Sequence, residues 1–332
     1  MLMRVLVTGA TGALGPRVVE ALHQAGYAVR TLSLDTPAPT LLPEPTEIRL
    51  GDITDATTVR AAMAGVDVVI HMAALLHIVN PSPALRPQYE RVNIGGTQVV
   101  IEAARAAGVK RLVFFSTIAV YGDSQGRLLD EDTPPCPDTL YAETKLAAER
   151  IVLDAQRPDG QPLGAVLRLG AVYGARIKGN YRRLVEALAR RRFIPIGDGR
   201  NRRTLVYDKD VAHAAVLAAS HPAAAGGCFN VTDGRYHMLR DIMATVCSAL
   251  GRTPPRLTLP VRPARCAAGL VEDAMQRIGR RSPITRAAID KYTEDVAVSS
   301  ERIRSQLGFA PQYDLITGWR ETIQEMRQSG DL

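Results

Sequence analysis

Over its first 170 residues the chain alternates short unbroken apolar runs with longer stretches in which apolar positions recur at helical spacing. Residues 3–8 form an apolar run ended by Gly9, 13–25 carry a helical pattern, and 28–34 form a second run. Strand, Gly-containing turn, helix, strand is the opening of a βαβ unit. A connection rich in proline (Pro37, Pro39, Pro43, Pro45) follows. The alternation then resumes with a strand at 48–50, a helix at 55–63 and a strand at 67–71. That last run is unbroken, which predicts burial on both faces. A long helix at 89–107 ends at Gly108, and a strand at 111–116, a helix at 140–156 and a strand at 164–169 complete the series. Repeated alternation predicts an α/β fold, a doubly wound parallel sheet covered by helices on both faces. After about residue 170 the rhythm loosens. Helices at 180–191, 210–219, 237–250, 299–306 and 315–328, separated by short strands and Pro/Gly breaks, predict a smaller mixed C-terminal lobe.

Composition narrows the function. Of 332 residues, 46% are apolar and 23% charged, the balance of a folded globular chain. The net charge of +7 comes from 41 basic and 34 acidic residues. No basic run is interleaved with aromatics, which disfavours nucleic acid and leaves a phosphate-bearing small molecule as the expected anionic partner. Ten basic residues lie between Arg176 and Arg203, and most of these are read as a solvated face. The four cysteines are far apart and lack metal-ligand spacing, so free thiols and no metal are expected. The chain enters a strand at once and has no apolar run of membrane-spanning length. A cytoplasmic enzyme without a membrane partner is expected.

The first candidate site is the loop Thr8-Gly9-Ala10-Thr11-Gly12-Ala13-Leu14-Gly15, which follows the first strand and opens a helix. Gly9 permits a tight turn, Gly12 lets backbone approach a pyrophosphate, and Gly15 lets helix and strand pack closely. The helix N-terminus offers N–H groups and positive dipole to phosphates. In this position the G-x-x-G-x-x-G spacing predicts a Rossmann-type dinucleotide site, with Thr11, Ala13 and Leu14 lining it. Residues 1–170 are therefore read as the dinucleotide-binding domain and 171–332 as the substrate lobe, with the chain free to cross between them. The end of the second strand holds Ser33 and, two residues on, Asp35. A carboxylate there accepts from ribose hydroxyls and repels a 2′-phosphate, whereas Arg30 would attract one. The balance favours NAD, with NADP left open. Asp52 is placed to accept from the adenine amino group, with Ile53 packing beside it; helix capping is its alternative. Ala73 and Ala74 leave room for a cofactor against the backbone. Asn93 either orients main chain near the site or faces solvent.

The second candidate is Tyr141-Ala142-Glu143-Thr144-Lys145. Positions i and i+4 share a helix face, so phenol and ammonium project together. A lysine cation stabilises phenolate, which makes the pair a general base toward a substrate hydroxyl. Thr117, at the carboxyl end of the fifth strand, is placed to hydrogen-bond the same substrate oxygen, or else to bond local backbone. His71, His77 and His213 lack partners at useful spacing and are read as structural.

Taken in order, T-G-A-T-G-A-L-G, G-D-I, H-M-A-A, V-N-I-G-G-T, F-F-S-T-I-A-V-Y-G, Y-A-E-T-K, L-R-L-G-A-V-Y-G and a late L-G-F-A-P resemble the extended short-chain dehydrogenase/reductase superfamily. Within it the chain resembles the NAD-dependent epimerases and dehydratases, nucleotide-sugar 4-epimerases of the UDP-galactose 4-epimerase type above all. The resemblance implies a Thr117–Tyr141–Lys145 catalytic set and NAD held also by Met72, Ser116 and Gly170. It implies a nucleotide-sugar substrate, and homodimers paired through helices 89–107 and 140–156. It places Arg203 on the substrate diphosphate, with Lys291 a poorer match to a second phosphate ligand. Asn180 would line the sugar pocket or cap the helix that follows. Ala171 departs from the asparagine common in sugar-nucleotide enzymes. The leading expectation is thus 4-epimerisation through a 4-keto intermediate. The alternative is an NAD(P)H-dependent reductase of a 4-keto sugar or of a steroid- or flavonoid-like ketone. A non-enzymatic NAD(P) sensor would have no need of the intact base.

Overall fold

The computed structural model describes residues 2–76, 82–280, 282 and 284–332. The N-terminal half runs β1 (Arg4–Thr8), α1 (Gly15–Gln24), β2 (Ala28–Ser33), β3 (Thr46–Leu50), α2 (Ala56–Met63) and β4 (Val68–His71). It continues with α3 (Arg86–Tyr89), a π-turn Glu90–Gly95, α4 (Gly96–Ala106), β5 (Arg111–Thr117), β6 (Leu128–Leu129), α5 (Leu140–Asp154) and β7 (Gly164–Leu169). Asp55 caps α2 through Thr57 N, and Thr139 caps α5 through Ala142 N. Those are the side-chain oxygens that satisfy orphan N–H groups at helix starts.

The second half runs β8 (Ala171–Tyr173), α6 (Asn180–Ala189), β9 (Arg202–Arg203), β10 (Leu205–Tyr207), α7 (Asp208–Ser220), β11 (Cys228–Val231) and β12 (His237–Met238). Then come α8 (Leu239–Leu250), α9 (Val261–Arg277), α10 (Arg286–Thr293), β13 (Ala297–Val298), α11 (Glu301–Leu307) and α12 (Leu315–Gln328). One seven-stranded sheet is ordered β11-β7-β5-β4-β1-β2-β3, and every pairing in it is parallel. The seventh strand is thus drawn from the C-terminal half. One face of the sheet packs on α1, α7 and α11, around Val18, Leu22, Val211 and Ile303. The other packs on α2, α4 and α5, around Val59, Val100 and Val152. A further core joins β8 and β10 to α6, α8 and α12, with Tyr173 stacked on Trp319 at 4.5 Å.

Two features differ from expectation. The helix expected at 89–107 is interrupted by the π-turn, inside which Asn93 is buried. Two helices, α9 and α10, occupy a stretch without a core-facing pattern. In α9 only Ala268 and Gly269 are buried, so its apolar positions report an outer face and not a core. Pro263 falls in its first turn, where no intrahelical N–H bond is lost.

Candidate active site

The Gly-rich loop has a geometry its sequence dictates. Gly9 sits at φ +73°, and a Cβ there would meet Ala73 N at 2.8 Å, so the ends of β1 and β4 close on each other only because side chain is absent. A Cβ at Gly15 would lie 1.9 Å from Ala10 O. At Gly12 it would approach only Gly9 O, leaving the outer side of the loop open. Leu14 stands at the N-cap of α1 and no side chain caps the helix, so its N-terminus is free for phosphate oxygens. At the end of β2 the Ser33 hydroxyl is buried without a hydrogen-bond partner. These features fit an adenine dinucleotide, with Gly12 to Gly15 on the pyrophosphate and Ser33 near the ribose. Asp35 is exposed just beyond.

Arg30 does not serve a 2′-phosphate. Its guanidinium is buried, donates to Ala62 O and Ala64 O at 2.7 Å each, and pairs with Glu47 at 2.9 Å. It closes the C-terminal end of α2 where carbonyls lack partners, which removes the argument for NADP. Asp52 accepts from Thr54 N at 2.9 Å, so the cap of α2 itself falls to Asp55. Ile53 is buried beneath Gly96. Met72 N donates to Thr8 O, and Ala73 N to the Thr8 hydroxyl. Asn93 does not face solvent: its amide accepts from Leu75 N at 2.7 Å and donates to Leu75 O and the Thr144 hydroxyl. It thereby ties the segment after β4, including Ala74, to α5. His71 bridges the Thr8 and Thr97 hydroxyls, and burial lowers its pKa to about 3. That is a structural role, as is that of His213 against Phe309; His77 lies outside the described residues.

At the carboxyl end of β5, Thr117 Oγ1 accepts from Ala119 N at 3.2 Å, so its proton remains available to a ligand oxygen. α5 lies against β5 and β7 and brings Tyr141 and Lys145 to this edge. Lys145 is buried, with Nζ 3.8 Å from the centre of the Phe114 ring. Burial lowers its pKa to about 7, against a partial lift from Glu149. Burial raises that of Tyr141 to about 12, with Tyr89 alongside. The sequence led us to expect a lysine cation lowering the phenol; here burial raises it instead, and both groups are held toward their neutral forms.

One turn beyond Lys145 lies a network that the sequence reading missed. Glu149, 1% exposed, receives Arg168 Nη2 at 2.7 Å and the Ser116 hydroxyl. Arg168 also donates to Tyr121 Oη at 2.9 Å, which donates to Asn230 at 2.9 Å. Ser116, expected at the cofactor, spends its hydroxyl here. The available signal was an arginine inside an otherwise apolar buried strand, since such a charge needs a partner.

The substrate-lobe residues are placed differently from expectation. The Arg203 guanidinium donates to Glu294 O at 2.7 Å, Tyr292 O at 2.7 Å and Lys291 O at 2.9 Å. It thus closes the C-terminus of α10. Lys291 Nζ pairs with Glu294 at 2.9 Å and reaches Asp138 at 3.4 Å. Asn180 is the exposed first residue of α6 and is not its cap; Gly179 holds that position at φ +134°. Gly170 and Ala171 mark where the chain leaves the sheet, through bonds to Val231 O and Thr204 O at 2.9 Å each. Among the described residues no cluster of His, Cys, Asp or Glu could hold a metal ion, and no helix is long and apolar enough to cross a membrane.

The profile described as the NAD dependent epimerase/dehydratase family matches residues 5–232. The chain is 29% identical over 99% of its length, and 97% of the relative's, to a 4-hydroxy-2-methyl-3-oxo-4-farnesyl-3,4-dihydroquinoline-1-oxide ketoreductase of Stigmatella aurantiaca. It is 28% identical to the N-acetyl-alpha-D-glucosaminyl-diphospho-ditrans,octacis-undecaprenol 4-epimerase of Escherichia coli O157:H7, covering 96% of this chain and 94% of that one. Among solved structures, MoeE5 in complex with UDP-glucose and NAD superposes with a TM-score of 0.76 at 28% identity, covering 98% of this chain and 99% of that one.

Proposed function

We propose, on the premise that this chain belongs to the NAD dependent epimerase/dehydratase family, that it interconverts a secondary alcohol and a ketone on a largely apolar substrate. The chain is an enzyme of that family, and its cofactor is NAD. Bound NAD supplies the hydride acceptor, and Gly9, Gly12, Gly15, Ser33 and Asp35 would hold it. Tyr141 removes the hydroxyl proton as hydride leaves the same carbon, and returns it in the reverse direction. Thr117 donates to the substrate oxygen and orients it. Lys145, beside the phenol, stabilises the charge that develops there.

The observation that carries the substrate reading is the placement of Arg203. Three of its five N–H donors go to main-chain carbonyls, Lys291 is matched to two carboxylates, and Ala171 has no amide. The groups expected to grip a nucleotide diphosphate are therefore directed elsewhere. The ketoreductase of Stigmatella aurantiaca, named for a farnesylated quinoline, supports the same reading. The second reading, a nucleotide-sugar 4-epimerase, is favoured by the likeness to MoeE5 with UDP-glucose. Pairing as a homodimer through α4 and α5 goes with either.

A panel of UDP-sugars, dTDP-sugars, steroid alcohols and prenylated ketones, each with NAD or NADH, separates the two. We expect stoichiometric change in NADH absorbance with the apolar compounds and none with the sugars. Epimer formation on a UDP-sugar without net NADH would instead establish the second reading. Asp35 supplies a further check. Asp35→Arg is expected to shift preference from NAD toward NADP at least tenfold in kcat/KM, since the mutation replaces a carboxylate with a cation at the ribose edge. An unchanged NAD/NADP ratio would remove Asp35 from the cofactor site.

A further inference from the structure

We propose that the outer face of α9 is a docking surface for an anionic lipid bilayer. This goes beyond the reaction and rests on no step of it. In a helix that packs on a core, the apolar stripe points inward. In α9 it points outward: Cys266, Ala267, Leu270, Val271, Ala274 and Ile278 recur every few residues, and all are exposed. Leu270 is 72% and Ile278 64% exposed. Immediately before the helix Leu257 is 78% exposed, and Leu259, paired with the 195–197 segment, adds to the same end of the lobe. Large apolar side chains this open in a cluster mark a contact surface and not ordinary scatter.

Charge identifies the occupant. Between Arg252 and Arg280 stand six arginines against two acids, Glu272 and Asp273, in a chain whose whole excess is +7. Arg286 of α10 meets both acids, at 3.3 and 2.7 Å. Gly269 leaves the space that guanidinium fills, since a Cβ there would lie 2.5 Å from Arg286 Nε. Arg265 pairs with Asp290. Arg252, Arg256, Arg262, Arg277 and Arg280 form no ion pair among the described residues. The acids are thus neutralised within the protein, and Arg262 and Arg277 of α9, with Arg280 just beyond it, remain unpaired on the helix that carries the exposed stripe. Apolar residues that enter the acyl boundary, bordered by arginines at phosphate level, describe a helix lying in the plane of a bilayer surface. At seventeen residues it spans about 26 Å, and it requires no membrane-crossing segment.

The surface adjoins the reaction site. α9 packs on α10, whose Lys291 reaches Asp138, three residues ahead of Tyr141. A bilayer against α9 would therefore lie beside the crevice, where an apolar substrate partitioned into lipid could enter.

The test is co-sedimentation of the full chain with vesicles of equimolar phosphatidylglycerol and phosphatidylcholine, and with phosphatidylcholine alone. Binding is expected to the anionic vesicles only, and to weaken between 50 and 500 mM salt (roughly a threefold change in screening length). Arg262→Glu/Arg277→Glu/Arg280→Glu should lower partitioning roughly a hundredfold. Leu270→Glu/Ile278→Glu should abolish it while leaving the thermal melt and turnover of a water-soluble substrate unchanged, because both side chains are solvent-exposed. Absence of binding to anionic vesicles, or binding indifferent to both variants, overturns the proposal. So does a concentration-dependent dimer, seen by light scattering, that Leu270→Glu/Ile278→Glu dissociates in the absence of vesicle binding, since the face would then belong to a second copy. Vesicle binding is read without substrate or NAD, so its failure and failure of the proposed reaction are separate results.

Discussion

Tyr141→Phe should lower kcat by roughly a hundredfold to ten-thousandfold, the range that a positioned acid–base group contributes, while leaving NAD affinity within about threefold. The substitution removes only the phenolic oxygen, and the ring that fills the site remains. Stopped-flow measurement of hydride transfer and titration calorimetry of NAD separate the two quantities. Full turnover on the true substrate would falsify the catalytic assignment. A parallel loss of NAD affinity would make Tyr141 a cofactor ligand and not the base.

The pH dependence follows from the neighbouring lysine. Lys145 titrates near about 7 in the free protein, and Tyr141 near about 12. For alcohol oxidation kcat/KM should fall as pH rises through about 7, as Lys145 loses the charge that stabilises the developing phenolate, and Lys145→Met should lack that inflection. Stability provides an independent check on the same shift. A lysine in the unfolded chain holds its proton to about pH 10.5, so between about 7 and 10.5 the unfolded state binds more protons than the folded one. The cost of burying Lys145 is therefore complete below pH about 7 and fades as pH rises to 10.5. Lys145→Met should stabilise the fold most at neutral pH and below, and lose that advantage in alkali.

What the sequence made legible was local. Gly9, Gly12 and Gly15 declare themselves through spacing after a strand, and Tyr141 and Lys145 through one helical turn. Thr117 follows from its place at the end of an apolar run. Partnerships across the fold were not legible. The carbonyls that occupy Arg203 come from residues 88 to 91 positions away, and no pattern around the arginine announces them. Arg30 met the same fate for the same reason: its charge is visible in the sequence, its carbonyl partners in α2 are not. α9 was not legible because Pro254, Pro255, Pro260 and Pro263 punctuate the stretch that opens it and read as breaks.

The Glu149–Arg168 pair is the strongest case of such a hidden partnership, and breaking it should have the largest effect on stability. Both groups lie beneath the catalytic edge, Glu149 at 1% and Arg168 at 5% exposure. Glu149→Ala leaves the guanidinium buried opposite a void, with only Tyr121 to receive it, and should cost about 3–5 kcal/mol in denaturant-derived unfolding free energy. Arg168→Ala should cost as much, through the stranded carboxylate. Glu149→Leu/Arg168→Leu should recover most of the loss, because two apolar side chains remove both desolvation penalties together. A double variant as unstable as either single one would mean that packing, not charge, makes the site costly. The pair also bears on catalysis through Lys145. The Glu149 carboxylate, one helical turn away, opposes the desolvation of that ammonium. Glu149→Gln keeps the shape and removes the charge, so it should move the kcat/KM inflection below about 7 without abolishing turnover. A purely structural role for Glu149 would lower the amount of folded enzyme and leave the inflection where it was.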